Sequence, residues 1–364
     1  MMKIKAAVVE KQNADFEIKD DVELAEMGPD DLQVHMVASG ICHSDEALRI
    51  GDAVIDYPIV LGHEGSGIVE KVGPEVTQFK PGDHVVLSFY GCGNCKSCLK
   101  GIPTQCENYA ANNLSGVRPD GSAHFTENGH KVADMFDQSS FTSTTVVRER
   151  NAVKVDPTLD LRKLGPLGCG YVTGSGTVLN TLKPKPGDTI AVFGTGAVGL
   201  AAMMAGRISG CTKVIGIDIV DSRLDLAKEL GATDVINSKN VDVVQAVKDL
   251  TDGYGVNWAV DTTGVTAVME NSIKVLAQGG TLLPLPSHQT TLTLILGTTF
   301  VLTTRRSLAS TWAIQFLKLI FHVSSTSTRW VCLTSTRPKN STNLAKLTKP
   351  MLTPAQVKPS NLCW

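Results

Sequence analysis

Hydrophobic residues in the first half of the chain come in short, β-branched runs. AAVVE, LQVHMVA, SGIVEKVG and HVVLSFY are of this kind, and turn-forming stretches such as GPDD and PGD separate them. Such runs predict strands joined by turns. After about residue 175 the rhythm changes. TIAVFG is followed by the helix-like AVGLAAMMAGRISG, then KVIGID, SRLDLAKELGA, WAVDTTG and AVMENSIKVLAQGG. Strand alternating with helix calls for a parallel sheet with helices on both faces. The chain, at 364 residues, is also longer than one hydrophobic core supports. The expected architecture is therefore α/β in two domains: a β-rich domain over residues 1–174 and a doubly wound domain over 175–284.

Charge divides the chain at a second place, after residue 284. Formal net charge is −2, which predicts no nucleic-acid partner. From Leu285 to Trp364, however, there are nine Lys or Arg and no Asp or Glu, so residues 1–284 hold 25 basic and 36 acidic groups. The tail is crowded with Ser and Thr and contains one glycine, Gly297. No apolar run is long enough to span a bilayer, and the charged start MMKIKAAVVEK is not a signal peptide. A cytoplasmic protein without a membrane partner is expected, and in that setting nine cysteines point to metal or catalysis before disulfides.

Cys92, Cys95, Cys98 and Cys106 lie in GCGNCKSCLKGIPTQC. Four thiolates this close, in a loop that Gly91, Gly93 and Gly101 allow to wrap, suit tetrahedral zinc with no position left for water, hence a structural Zn2+. Two disulfides or a redox pair are the alternatives. Lys96 and Lys100 would offset part of the thiolate charge. Three more candidates are scattered: Cys42 in GICHSD, His63 in GHEGSGIVEKVG and Cys169 in GPLGCGYVTGSG. Two sulfurs and an imidazole leave a fourth position open, the pattern of a zinc that acts as a Lewis acid. Taken singly, each is more often a packed thiol or a structural histidine; their glycine-rich settings favour the metal.

In GTGAVG, Gly194, Gly196 and Gly199 stand between the strand TIAVF and a helix. The first makes the tight turn, the second admits a pyrophosphate and the third lets helix and strand pack closely. The helix N-terminus then favours the phosphate charge. Asp218 closes the strand VIGID nineteen residues after Gly199. An acid there accepts the ribose hydroxyls of NAD and repels the 2′-phosphate of NADP. Ile219 follows it where NADP would call for a basic residue. A turn residue at a strand end is the alternative role for Asp218.

GICHSD, LGHEGSGIVEKVG, PGDHV, the four-cysteine loop and FGTGAVG, in this order, resemble the medium-chain zinc alcohol dehydrogenases over residues 3–284, and within them the aryl- or benzyl-alcohol branch. The resemblance implies a GroES-like catalytic domain, a Rossmann NAD-binding domain and oxidation of an alcohol to its aldehyde or the reverse. It gives Cys42, His63 and Cys169 to a catalytic Zn2+, with Glu64 close behind as an occasional ligand. Ser44 would accept the alcohol proton, Asp45 would hold the His63 imidazole in its metal-binding tautomer, and His43 would lie against the cofactor pyrophosphate. One departure is Ala47, where many members carry the relay's outer histidine, so the relay must end on another group or on water. For Ser44 a helix N-cap is the alternative. The family is expected to form homo-oligomers.

After GGTL the resemblance stops. Reading each codon of the tail one base earlier lets Thr311–Ser325 be read as NMGDSIPEIDIPRLI, Ile295–Phe300 as NPWNDF, and the stretch from Lys358 as TIKPVL, all in the style of that family. One constant offset from about Leu285 points to a lost base or an equivalent sequencing or gene-model error, and a tail that packs loosely is expected. Two rival readings follow: an inactive zinc- and nucleotide-binding remnant, and a zinc-free quinone or enoyl reductase. Cys42, His63 and Cys169 together argue against the second.

Overall fold

The structure is a computed structural model that describes residues 2–51, 55–285, 290–295 and 299–304, the last two segments as backbone. The first part is two antiparallel sheets. Strands β1 (Met2–Val9), β2 (Phe16–Leu24), β3 (Asp31–Gly40), β4 (Ile59–Val60), β5 (Glu64–Val72), β6 (His84–Leu87), β7 (Phe125–Glu127), β8 (His130–Val132), β9 (Thr144–Arg148) and β10 (Ala152–Lys154) pair in the orders β4-β1-β2-β7-β8 and β10-β6-β5-β3-β9. Short helices α1 (His43–Arg49), α2 (Lys96–Leu99) and α3 (Tyr109–Asn113) are set between them. Val8, Val22, Leu24, Val60 and Phe125 fill the core of the first sheet, and Leu32, Val34, Val69, Val85 and Val147 that of the second.

Helix α4 (Gly170–Gly176) leads out of this part, so the boundary expected at 174/175 falls inside a helix. A one-turn-plus π-helical segment, Thr177–Leu182, continues it. Then come β11 (Thr189–Phe193), α5 (Ala197–Ile208), β12 (Lys213–Asp218), α6 (Asp221–Glu229), β13 (Asp234–Asn237), α7 (Val243–Leu250), β14 (Val256–Asp261), α8 (Thr266–Lys274) and β15 (Leu276–Pro284). The five strands form a parallel sheet in the order β13-β12-β11-β14-β15. Both faces are buried: along β11, Ile190 and Val192 enter one apolar cluster while Ala191 and Phe193 enter the other. This two-sided burial is why the strand reads as a continuous apolar run.

The helix expected across AVMENSIKVLAQGG is shorter than its pattern. It ends at Lys274, and the strand begins at Leu276. Pairing of β15 with β14 competes successfully for the segment, and Gly279 at φ +79 is a poor helix residue in any case. Strand β13 and helix α7 have no counterpart in the sequence reading. Helix α7 starts where the Asp242 side chain accepts the amides of Val244 and Gln245.

Beyond the parallel sheet, β16 (Thr290–Ile295) and β17 (Thr299–Thr304) pair antiparallel from Thr290↔Thr304 to Ile295↔Thr299 in a two-stranded sheet of their own. The remainder of the expected loosely packed, out-of-frame tail lies outside the described residues. Among the described residues no helix is long and apolar enough to cross a membrane.

Candidate active site

Three elements bring Cys42, His63 and Cys169 together. Cys42 is the N-cap of α1, in extended conformation. Asp45, at the helix's third position, accepts the Cys42 amide at 2.9 Å on one oxygen. Its other oxygen takes the Gly62 amide at 3.0 Å and faces His63 Nδ1 at 3.0 Å. One buried carboxylate thus ties the helix start to the strand that delivers His63. Ser44 is not the N-cap; it is the second residue of α1, buried, with Oγ 3.8 Å from Cys42 Sγ. Cys169 caps α4, and its Sγ is 3.2 Å from His63 Nε2. Glu64 accepts the Gly170 amide at 3.1 Å, so it anchors the backbone directly after Cys169.

The ligand atoms of Cys42, His63, Glu64 and Cys169 all lie within 4.8 Å of one another. The sulfur–nitrogen spacing of 3.2 Å is near the ~3.6 Å edge of a tetrahedron with metal bonds of ~2.0–2.3 Å. His63 Nδ1 is engaged by Asp45, which leaves Nε2 as the metal-facing nitrogen. The donor set fits zinc: two sulfurs, one imidazole and a carboxylate standing by. Of the three shifts here, the lowered Cys42 thiol favours a metal, while His63 and Glu64 would give up a proton to bind one. A hydrogen bond from Cys169, together with the His63 ring, takes the Cys42 thiol down to about 3 against the opposing effect of burial. Burial works against charge on His63, yet Asp45 and Cys42 raise its pKa well above the usual histidine range. Burial and the Cys42 thiolate push Glu64 up.

Cys92, Cys95, Cys98 and Cys106 also place their sulfurs within 4.8 Å of one another. None of them is in a disulfide, and Cys92 Sγ stands 3.9 Å from Cys98 Sγ, far beyond the ~2.05 Å of a bond. Backbone amides converge on the sulfurs: Cys98 and Glu107 on Cys95, and Cys92 on Cys106, each at 3.5 Å. Those amides lower the Cys95 thiol to about 6, while burial drives Cys98 up to about 12. Gly93 and Gly101 have φ of +76 and +73, which the wrap of the loop requires. All four positions of a tetrahedral ion are supplied by protein.

At the C-terminal ends of β11, β12 and β14 lies a cleft of about 370 Å3 lined by Gly194, Gly196, Asp218, Ile219, Arg223 and Thr262, among others. Gly194 has φ +87, and a Cβ on Gly199 would overlap the Gly194 carbonyl oxygen. A Cβ on Gly196 would meet nothing, which leaves open space at the N-terminus of α5. Gly194 thus makes the turn and Gly199 the close packing that their spacing implies, and the open position at Gly196 has room for a pyrophosphate. Asp218 is buried and accepts four donors: the Thr195 amide at 2.8 Å and hydroxyl at 3.0 Å, and the amides of Ile219 at 2.7 Å and Val220 at 3.0 Å. Burial opposes its charge, but these donors hold the carboxyl below its ordinary value. It is thus both a turn residue and an ionised group on the cleft wall. A ribose hydroxyl would share an oxygen with Thr195 or replace that hydroxyl.

His43 is exposed at the start of α1 and is not among the side chains lining the cleft. Four residues that the sequence reading passed over take part. Thr195 braces Asp218, and Arg223 lines the cleft five residues beyond it. Gln138 Nε2 donates to the His63 carbonyl at 3.2 Å, and the Phe136 ring meets the imidazole edge-on with centroids 5.0 Å apart. A basic residue shortly after a strand-end acid was the one available signal. Helices α4 and α5 join the two sites: a Cβ on Gly174 would overlap the Val198 carbonyl, so only glycine lets the helix that follows Cys169 lie against the helix that begins at the cofactor turn.

Comparison with known proteins fits this geometry. The "Alcohol dehydrogenase GroES-like domain" profile matches residues 28–157, and the "Zinc-binding dehydrogenase" profile matches 197–320. Geraniol dehydrogenase of Castellaniella defragrans is 43% identical over 273 residues, 73% of either chain. Benzyl alcohol dehydrogenase from Acinetobacter calcoaceticus has a crystal structure that superposes with a TM-score of 0.73 at 42% identity, over 78% of this chain and 77% of that one. An alcohol dehydrogenase zinc-binding domain protein from Burkholderia ambifaria gives 0.74 at 44% identity, over 78% and 76%.

Proposed function

The chain belongs to the zinc-dependent, NAD-linked medium-chain alcohol dehydrogenases, and from that premise we propose that it oxidises a primary aryl or allylic alcohol to its aldehyde, and the reverse. The observation that carries the reading is the convergence of Cys42, His63 and Cys169, the first more than a hundred positions from the last, within one 4.8 Å cluster. When bound, zinc there would polarise the alcohol oxygen and NAD would take the hydride. The chain's own residues would do the rest. Asp45 would hold His63 Nδ1–H, so that Nε2, once its proton is displaced, would face the metal. Ser44, buried beside Cys42, would accept the alcohol proton and pass it outward. Ala47 offers no proton acceptor at the next position, so the proton leaves by water or another group. Asp218 and the three glycines would hold NAD at the sheet's C-terminal edge, and Cys92, Cys95, Cys98 and Cys106 would hold the structural ion. The names geraniol and benzyl alcohol, an allylic and an aryl alcohol, belong to relatives above 40% identity and support the substrate class.

The test is turnover of the zinc-loaded full chain with benzyl alcohol, geraniol and ethanol, each with NAD and with NADP. We expect NAD to be preferred, and kcat/KM for the first two alcohols to exceed that for ethanol by tenfold or more. Equal rates on ethanol would refute the substrate class. A second reading, a remnant that binds zinc and nucleotide without turnover, is favoured by one observation. The described tail residues pair with each other and leave β15 at the edge of the sheet, where an exposed edge is a liability. Comparing this chain with one whose reading frame is restored after Pro284 decides between them. Equal turnover and equal protease resistance would dismiss the remnant.

A further inference from the structure

Behind His63 lies a buried ionic cluster that the reaction does not use. His124 Nε2 faces Asp137 Oδ1 at 2.9 Å and Asp134 Oδ2 at 3.9 Å. Arg148 approaches Asp137 Oδ2 at 3.6 Å while its guanidinium covers the Tyr90 ring at 4.3 Å, and Arg118 pairs with Asp31 at 2.8 Å. His124, Asp134 and Asp137 are each at most 3% exposed. Arg118, Arg148 and a protonated His124 face Asp31, Asp134 and Asp137, with Asp30 also near Arg148; burial pushes the Asp134 carboxyl up, and a neutral His124 leaves Asp137 with Arg148 as its remaining cation.

The cluster sits at the root of a strained loop. Phe136, Asp137 and Ser139 have φ of +59, +57 and +48, a left-handed conformation that side chains other than glycine rarely adopt. Three such residues in four persist only where the surroundings over-determine them. Here the surroundings are His63 and its neighbours. Ser140 and Phe141 amides donate to Gly62 and Leu61 carbonyls at 2.9 and 3.1 Å, Gln138 donates to the His63 carbonyl, and Phe136 packs on the imidazole. The Asp137 amide closes back on Asp134 Oδ1 at 3.0 Å.

We propose that His124 and Asp137 are positioning residues for His63: their buried pair clamps the 134–141 loop against the imidazole and so governs how firmly the site keeps its metal. The clamp is sensitive to alkali. Burial opposes the His124 charge, but Asp134 and Asp137 outweigh it and, against Arg118, raise the pKa above the ordinary histidine value. Nδ1 has no hydrogen-bond partner among the described residues, so deprotonation there leaves Nε2–H on Asp137 but turns the pair from an ionic into a weaker neutral hydrogen bond. A raised pKa means that the stabilisation is complete below the unfolded value and is lost as pH rises through the folded one. Loss of metal through protonation of its ligands has the opposite sign, growing as pH falls.

The inference rests on reading His63 as a zinc ligand, and the experiment separates the two. Zinc release to a chromogenic chelator is followed from pH 7 to 10 for the full chain and for His124→Gln, which keeps a donor for Asp137 but cannot titrate. Amide exchange of Ser140 and Phe141 is followed alongside. In the native chain we expect one of two zincs to leave about tenfold faster at pH 10 than at pH 7, with a matching fall in Ser140 and Phe141 protection; the four-cysteine zinc serves as the control. His124→Gln should show the fast rate at every pH. Asp137→Asn, which tolerates the left-handed backbone, should do the same. Flat release and protection in the native chain, or a His124→Gln variant that keeps the native slope, overturns the proposal. Equal acceleration of both zincs also overturns it, because it reports general loosening. If only one zinc is ever bound, the zinc reading of His63 fails, while the exchange of Ser140 and Phe141 still decides whether His124 clamps the loop.

Discussion

The two candidate metal sites of this protein are alike in size and opposite in construction. One draws four sulfurs from a single stretch, Cys92 to Cys106. The other draws its donors from positions 42, 63, 64 and 169 and needs a helix cap, a strand and a second helix cap to meet. The contiguous cluster is organised by its own loop: two left-handed glycines and the amides of Cys92, Cys98 and Glu107. The distributed one is organised from outside, by Asp45 reaching both Cys42 and His63 and by Glu64 reaching past Cys169. A closed four-sulfur set can only hold the loop's shape. A set of three with a carboxylate standing by can also admit a substrate oxygen. Removing a donor should therefore have opposite consequences at the two places.

Cys42→Ser makes the sharpest break. It should lower kcat/KM by about a thousandfold, since Lewis-acid stabilisation is worth several kcal/mol, while the unfolding midpoint shifts little. Cys98→Ser should do the reverse: stability falls by about 4 kcal/mol through loss of the ion, and turnover per folded molecule stays near normal. Steady-state kinetics and thermal unfolding on both variants check this. Equal damage to both properties in either variant would erase the distinction between the sites.

The same contrast decides what could be read from the residues alone. Spacing and glycines suffice for Cys92 to Cys106, because every constraint is local. Cys42, His63 and Cys169 carry no such spacing; their glycine-rich settings make them candidates, and the resemblance of the motifs around them gives them to one metal. The parallel sheet was legible because TIAVF and KVIGID are buried on both faces. The end of α8 at Lys274 was not, because pairing with β14 overrides a helical pattern. Thr195, Phe136 and Gln138 left no trace either: each acts through a contact made only when distant segments fold together.

A smaller effect tests whether the distributed site depends on its outer carboxylate. Asp45→Asn keeps the shape but not the charge that holds Nδ1–H of His63. Metal affinity at that site should drop 10–100-fold, read by competition with a chelator, with the four-cysteine site unchanged. Unaltered affinity would mean that Asp45 serves only as the cap of α1.

The finest test uses protons as the probe. In the metal-free chain the Cys95 thiol is held at about 6 by the Cys98 and Glu107 amides, whereas Cys42 is held at about 3 by Cys169 and His63. Between pH 7 and pH 5 the thiolate fraction of Cys95 falls about tenfold, and that of Cys42 barely changes. Alkylation by iodoacetamide, followed residue by residue with mass spectrometry, should slow about tenfold at Cys95 and stay level at Cys42. The absolute rate at Cys42 will be the lower, because nucleophilicity falls with pKa. The slopes therefore carry the comparison, not the rates. A tenfold slope at Cys42 would show that its thiolate is not stabilised by Cys169 and His63. The two sites would then differ only in where their cysteines stand in the chain, and not in how the fold prepares them for a metal.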